Sequence, residues 1–215
     1  MSRDWARWHD GYDDPSSPLS ARLAIVQAHL ADALTAVPPG PVSLVSLCAG
    51  QGRDVLGVLP GHPRRGDVTA VLVELDPRNA RWAAARAARE GLAAVEVREA
   101  DAGVTAGYAD ALPADVLLLC GIFGNVSDAD IGRTVAAVPA LCAPGGTVIW
   151  TRHRRPPDLT LLVRKWFTAA GFAEVAFDAP GTGTTLIGVG VHRRQDTDQA
   201  PGPVPGRLFS FAADS

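Results

Sequence analysis

Residues 45–59 read VSLCAGQGRDVLGVL: an apolar run, two glycines one residue apart, then the opening of a helix. A strand that turns through glycine straight into a helix is the first half of a β–α–β unit. The pattern recurs down the chain. Short apolar runs predict strands over 42–48, 68–74, 94–99, 115–120, 146–152, 173–178 and 184–192. Helical spacing fills 52–60, 77–90, 103–109, 127–141 and 158–170. Such alternation implies parallel pairing through right-handed crossovers. The expected fold is α/β: a doubly wound, seven-stranded, mostly parallel sheet with helices on both faces. The last two runs are joined by DAPGTGTT with no helix between them, so the final strand is expected to be antiparallel.

Ahead of the sheet, Leu19, Leu23, Val26, Leu30, Ala33, Leu34 and Val37 recur at helical spacing behind Ser17 and Pro18, a cap and a first turn. Three regions are expected. Residues 1–40 form an N-terminal flap and helical extension packed on the core, 41–194 the ligand-binding domain, and 195–215 a flexible tail. Within the tail, QDTDQAPGPVPG reads as linker and RLFSFA as a stretch able to dock as a short strand.

The 215 residues are 47% hydrophobic, enough to fill one core, and carry a net charge of −3. No global positive field exists to collect phosphate backbones, so nucleic acid is a disfavoured partner. Cys48, Cys120 and Cys142 form no CxxC pair and have no histidine cluster nearby, which speaks against zinc and against a disulfide framework. The start of the chain lacks the layout of an export signal, and no run of about 18 apolar residues occurs. A cytoplasmic monomer or homodimer, away from membranes, is expected. The single lysine, Lys165, follows no glycine loop, which excludes phosphate-loop kinases.

In a sheet of this class ligands bind beyond the carboxyl ends of the strands, where the strand order reverses. The turn after the first strand belongs there. Gly50 and Gly52 let the backbone bend and let a ligand approach it closely. Glu74 ends the second strand, 22 residues after Gly52, where a carboxylate can accept both hydroxyls of a ribose. Asp101 follows the third strand. A dinucleotide reader would place a third glycine three residues after Gly52, but Val55 stands there. The ligand expected is therefore an adenosine without a diphosphate.

The glycine turn, the two acids and the PGG before the fifth strand together resemble the class I S-adenosylmethionine-dependent methyltransferases over residues 42 to about 192. The family's turn, acid-x-Gly-x-Gly-x-Gly, is met here by Ser46, Leu47, Cys48, Ala49, Gly50, Gln51 and Gly52, departing at the acid and at the first glycine. The resemblance implies S-adenosylmethionine as cofactor. It assigns the ribose to Glu74, the adenine amino group to Asp101 with Leu75 and Ala102 beside them, and the methionine end to Ser46 and the backbone around Cys120 and Gly121.

Three stretches can form the acceptor side. In CGIFGNVSD, Phe123 and Asn125 would face the sulfonium, unless Asn125 merely helps to cap a helix. In WTRHRRPPD, His153 is a candidate base and Arg154, with Arg152 and Arg155, a candidate clamp for an acidic acceptor; a solvated charged face is the alternative. The leader places Trp5, Trp8, His9 and Tyr12 as a flap over the site, and Arg22 toward the methionine carboxylate. The expected activity is methyl transfer to an O, N or C atom of a small molecule, an acidic one being favoured, without a metal. A non-catalytic adenosyl-ligand sensor and a nicotinamide-dependent oxidoreductase are the rival readings.

Overall fold

The structure, a computed structural model, describes residues 9–179, 187–195 and 202–211. Helix α1 (Pro18–Ala36) starts where Ser17 accepts from the Ser20 amide and Pro18 presets the first turn. Val26, Leu30, Ala33 and Leu34 form its buried stripe, and Val37, extended ahead of Pro38, ends it. The strands are β1 (Val42–Leu47), β2 (Val68–Glu74), β3 (Val95–Glu99), β4 (Ala114–Leu119), β5 (Cys142–His153), β6 (Phe172–Asp178) and β7 (Ile187–Arg194). Between them run α2 (Val55–Val58), α3 (Pro77–Arg89), α4 (Asp128–Leu141) and α5 (Thr160–Ala169).

All seven strands form one sheet in the order β3-β2-β1-β4-β5-β7-β6. β7 runs antiparallel to both β5 and β6, and the other pairs are parallel, as expected from the sequence. Strand order reverses at β1, which lies between β2 and β4, so the glycine turn opens at the switch point. Alternate residues of each strand serve opposite faces. Val45, Leu47, Val71, Leu117, Leu119 and Trp150 pack against α4 and α5, and Leu44, Leu72, Val116, Leu118 and Ile149 pack against α1, α2 and α3. The sheet is thus covered on both faces.

Three segments differ from the sequence reading. The helix expected over 52–60 contracts to one turn, α2, followed by a 3₁₀ turn at Leu59–Gly61. Gly57 presses so close to α1 that a Cβ there would meet Gln27 Nε2 at 2.1 Å. The helix expected over 103–109 is replaced by 3₁₀ turns at Thr105–Gly107 and Ala109–Ala111, the Thr105 amide bonding instead to the Gly206 carbonyl of the tail at 3.2 Å. β5 begins at Cys142 rather than 146 because α4 runs into it without a loop: the Cys142 amide still closes a helical bond to Val138 while the residue pairs with Ala114.

The tail is anchored at two points. Val104 bridges Arg207 and Val126 bridges Phe211, while Leu208 and Phe209, each 1% exposed, join the core beneath α4. Burying each of those side chains stabilises the docked segment by about 1.5–3 kcal/mol.

Candidate functional site

Past the carboxyl ends of β1 to β5 lies a cleft of about 790 Å³. The backbone turn after β1 forms one wall. Cys48, Gly50 and Gly52 are all left-handed, at φ 55°, 58° and 62°. Cys48 stands at the position where the family pattern has glycine, and it carries a β-carbon in a conformation that costs about 1–2 kcal/mol.

Glu74 braces this turn. Its Oε2 accepts the Gly50 amide at 2.7 Å and its Oε1 the Asp76 amide at 2.8 Å. Burial raises the carboxyl above the ordinary range, and the Asp76 and Gly50 amides draw it partway back. A carboxylate offers about four lone-pair sites, so both oxygens retain capacity for a ligand. Asp101 is similarly held: Oδ1 accepts the Gly103 amide at 2.8 Å, and Oδ2 lies 3.2 Å from the Arg207 guanidinium.

At the next strand ends, Gly121 (φ 78°) lies on the cleft with nothing within 4 Å of where a Cβ would project, so bare backbone faces the opening. Its amide donates to Thr151 Oγ1 at 2.9 Å, and Asn125 Nδ2 donates to its carbonyl at 2.7 Å, fixing the loop. Burial raises the thiols of Cys48 and Cys120, leaving both as neutral wall.

The end of β5 supplies the charged wall. Arg152 is 7% exposed; it donates to the Phe123 carbonyl, lies 3.9 Å from Asp128, and leaves its buried Nε without a partner. His153 packs against Gly124, where a Cβ would meet its ring at 3.0 Å, and its buried Nδ1 has no partner. Burial, then the charges of Arg152 and Arg155, lower its pKa, so the imidazole is neutral at pH 7.

Of the residues expected from the sequence, Cys48, Ala49, Gly50, Glu74, Leu75, Asp101, Ala102, Cys120, Gly121, Asn125 and His153 line this one cleft. Ser46, Gly52, Phe123 and Arg154 do not. Ser46 is 1% exposed within β1, on the face turned to α1. Gly52 serves the turn itself, since a Cβ would meet Leu72 at 2.6 Å. Phe123 is buried in the core with its ring 5.9 Å from Trp150. Arg154 pairs with Asp158 at 2.9 Å, and its neighbours Arg152 and Arg155 take the cleft instead.

Tyr12 and Arg22 also line the cleft; Arg22 donates to the Tyr12 hydroxyl, and Arg53 stacks on the same ring at 5.5 Å. Trp5 and Trp8 of the expected flap, and the His9 side chain, lie outside what the structure describes. Asp54 escaped the sequence reading. It caps α2 and lines the cleft, where burial raises its carboxyl and Arg22 opposes the shift. Its one signal was its place as a helix-start acid just past the glycines. Thr151 and Phe211 were missed as well.

Among the described residues no three His, Cys, Asp or Glu side chains cluster to hold a metal, and no helix is long and apolar enough to cross a membrane. No protein-family model matches the sequence, nor does any curated protein. Solved structures do match in fold. Magnesium protoporphyrin IX methyltransferase from Synechocystis PCC 6803 with bound S-adenosylmethionine superposes with a TM-score of 0.66 at 12% identity, over 90% of this chain and 92% of that one. The N-methyltransferase NodS from Bradyrhizobium japonicum WM9 gives 0.62 at 16%, over 86% and 99%. The 1,6-didemethyltoxoflavin-N1-methyltransferase from Burkholderia thailandensis, with bound S-adenosylhomocysteine, gives 0.60 at 19%, over 89% and 84%. The chain therefore has the seven-stranded Rossmann-like fold of these methyltransferases.

Proposed function

We propose that the chain is an S-adenosylmethionine-dependent methyltransferase that works in the cytoplasm on a small acidic acceptor. Convergence carries the reading: the glycine turn, Glu74, Asp101 and Gly121 come from four strand ends and face one cleft, in a fold whose neighbours include structures with that cofactor bound. The donor set suits the molecule. Glu74 takes the ribose hydroxyls and Asp101 the adenine amino group, with Leu75 and Ala102 beside the base. Cys120 and Gly121 border the methionine end. There Arg22 and Asp54, both on the cleft wall, present complementary charges to an amino-acid zwitterion, so that Asp54 supplies the acid that Ser46 does not.

Bound there, S-adenosylmethionine supplies an electrophilic methyl group to an acceptor aligned behind it. The residues of β5 do the rest. Arg152, nearly desolvated on the cleft wall, is disposed to grip a carboxylate in company with Arg155. Neutral His153 accepts the proton released from an acceptor O–H or N–H as that atom bonds to the methyl carbon. Asn125 keeps the facing loop in place through Gly121.

Calorimetric titration tests the cofactor: S-adenosylmethionine and S-adenosylhomocysteine should bind and NAD should not. Release of S-adenosylhomocysteine across a panel of carboxylate-bearing acceptors and their amides tests the acceptor class. Equal turnover of acids and amides would refute the clamp, and binding without turnover of any acceptor would favour the sensor reading.

A further inference from the structure

We infer that the C-terminal segment 205–211 is the outer wall of the nucleoside subsite, with Phe211 the surface on which the base lies and Arg207 the residue that positions Asp101 for the edge of the base. The inference rests on the cofactor reading above.

The segment is built into the end of β3. Thr105 Oγ1 donates to the Pro205 carbonyl at 2.6 Å, and the Leu208 amide to the Gly103 carbonyl at 2.8 Å. Contact is close enough that a Cβ on Gly103 would meet the Phe209 carbonyl oxygen at 2.3 Å, so the loop after Asp101 and the tail fit only because that residue is glycine. Two residues beyond buried Phe209, Phe211 meets its ring edge-on at 5.8 Å, remains 40% exposed and lines the cleft. Leu75, at 63%, is another exposed large apolar side chain on the cleft wall.

Two apolar surfaces and a carboxylate lining one cleft make a poor site for a sugar or a phosphate. They complement a flat heteroaromatic ring that has apolar faces and an amino group on its edge. Asp101 is fixed from two sides, by the Gly103 amide on Oδ1 and by Arg207 3.2 Å from Oδ2, and Arg207 is in turn held by the Phe209 carbonyl and Ser210 Oγ, each at 3.3 Å. Arg207 thereby sets which carboxylate lone pairs face the ring, and the segment brings both the surface and the orienting charge.

The test is titration of the wild type and of Phe211→Ala, Phe211→Trp, Arg207→Ala and Arg207→Lys with S-adenosylhomocysteine and with adenosine, a thermal melt being recorded for each variant. Phe211→Ala should lose about tenfold in affinity for both ligands alike, because the lost contact is with the base they share. Its melting temperature should not move. Phe211→Trp should keep wild-type affinity and add emission that the bound nucleoside quenches. Arg207→Ala should lose about threefold, and Arg207→Lys should recover most of it. Wild-type affinity in Phe211→Ala, or no quenching of Phe211→Trp at saturation, overturns the inference and leaves the cofactor reading standing. A wild type that binds neither ligand overturns both.

Discussion

At the β1–β3 end of the cleft Glu74 and Asp101 have both carboxylate oxygens engaged by the protein, whereas at the β4–β5 end Arg152 Nε and His153 Nδ1 are buried with no partner. A buried unsatisfied donor or acceptor costs about 1–3 kcal/mol. The first end is preformed, and its ligand shares lone pairs already oriented. The second is the end to which the proposed function assigns the acceptor. On this view the two ends should fail separately when mutated.

The largest effect should come from the unsatisfied end. Loss of a general base typically costs 10²–10⁴-fold in rate. His153→Ala should therefore lower kcat at least about a hundredfold while S-adenosylhomocysteine binds as to the wild type. Single-turnover product release and calorimetry check this together. A collapse of cofactor affinity would break the separation of the two ends.

Acidity sharpens the same point through two histidines. His153 accepts a proton only when neutral, and its pKa lies below the ordinary value because of burial and then Arg152 and Arg155. The rate should thus rise with pH to a plateau, along a limb that lies at lower pH than an ordinary imidazole would set. His192 is fully buried, accepts a bond from Trp150 Nε1 at 3.2 Å, and is lowered by burial to about 4 from 6.5. Between those values the unfolded chain binds a proton that the folded one refuses. The stability held above pH 6.5 therefore drains as pH falls toward 4, by about 3 kcal/mol in all. Melts across that range should show the decline, and His192→Phe, which removes the titrating group, should flatten it. An acid limb of the rate that vanished together with the stability loss in that variant would not belong to His153.

At the preformed end, Glu74→Ala and Asp101→Ala should each weaken cofactor binding by about 2 kcal/mol, roughly thirtyfold. They should differ in stability. Glu74 is 8% exposed, and its removal orphans the amides of Gly50 and Asp76, so it should lower the melting temperature measurably. The Asp101 side chain is 41% exposed, and its loss should leave the melt nearly unchanged. Equal melts would mean that Glu74 does not brace the turn.

The same contrast explains what could be read from the sequence. The strand tips, the glycine turn and the two acids declare themselves through local period and spacing, and the fold follows from them. Which arginine of 152–155 enters the cleft is set by the β5 register and by the Asp158 turn that withdraws Arg154, and neither has a local signature. Asp54 lines the cleft as the cap of α2, a helix of one turn packed against Gln27, and that packing is not visible in the local sequence. Phe211 lines the cleft and pairs with Val126 across 85 residues of chain.

The smallest effect isolates the turn itself. If Cys48 is strained by its φ of 55°, Cys48→Gly should relieve about 1–2 kcal/mol. Against this, glycine adds about 0.5–1 kcal/mol of unfolded-chain entropy, and the thiol gives up packing against the core under α4. The net gain should be about 0.5 kcal/mol, a rise of about 1–2 °C in melting temperature. Cys48→Ala is the control, because it loses the sulfur yet keeps a β-carbon at the same φ, and it should not gain. Cofactor affinity should stay within about twofold in both, since Gly50 remains tied to Glu74. Should alanine stabilise as much as glycine, the departure from the family's first glycine carries no strain, and the turn is preformed for some reason other than its backbone.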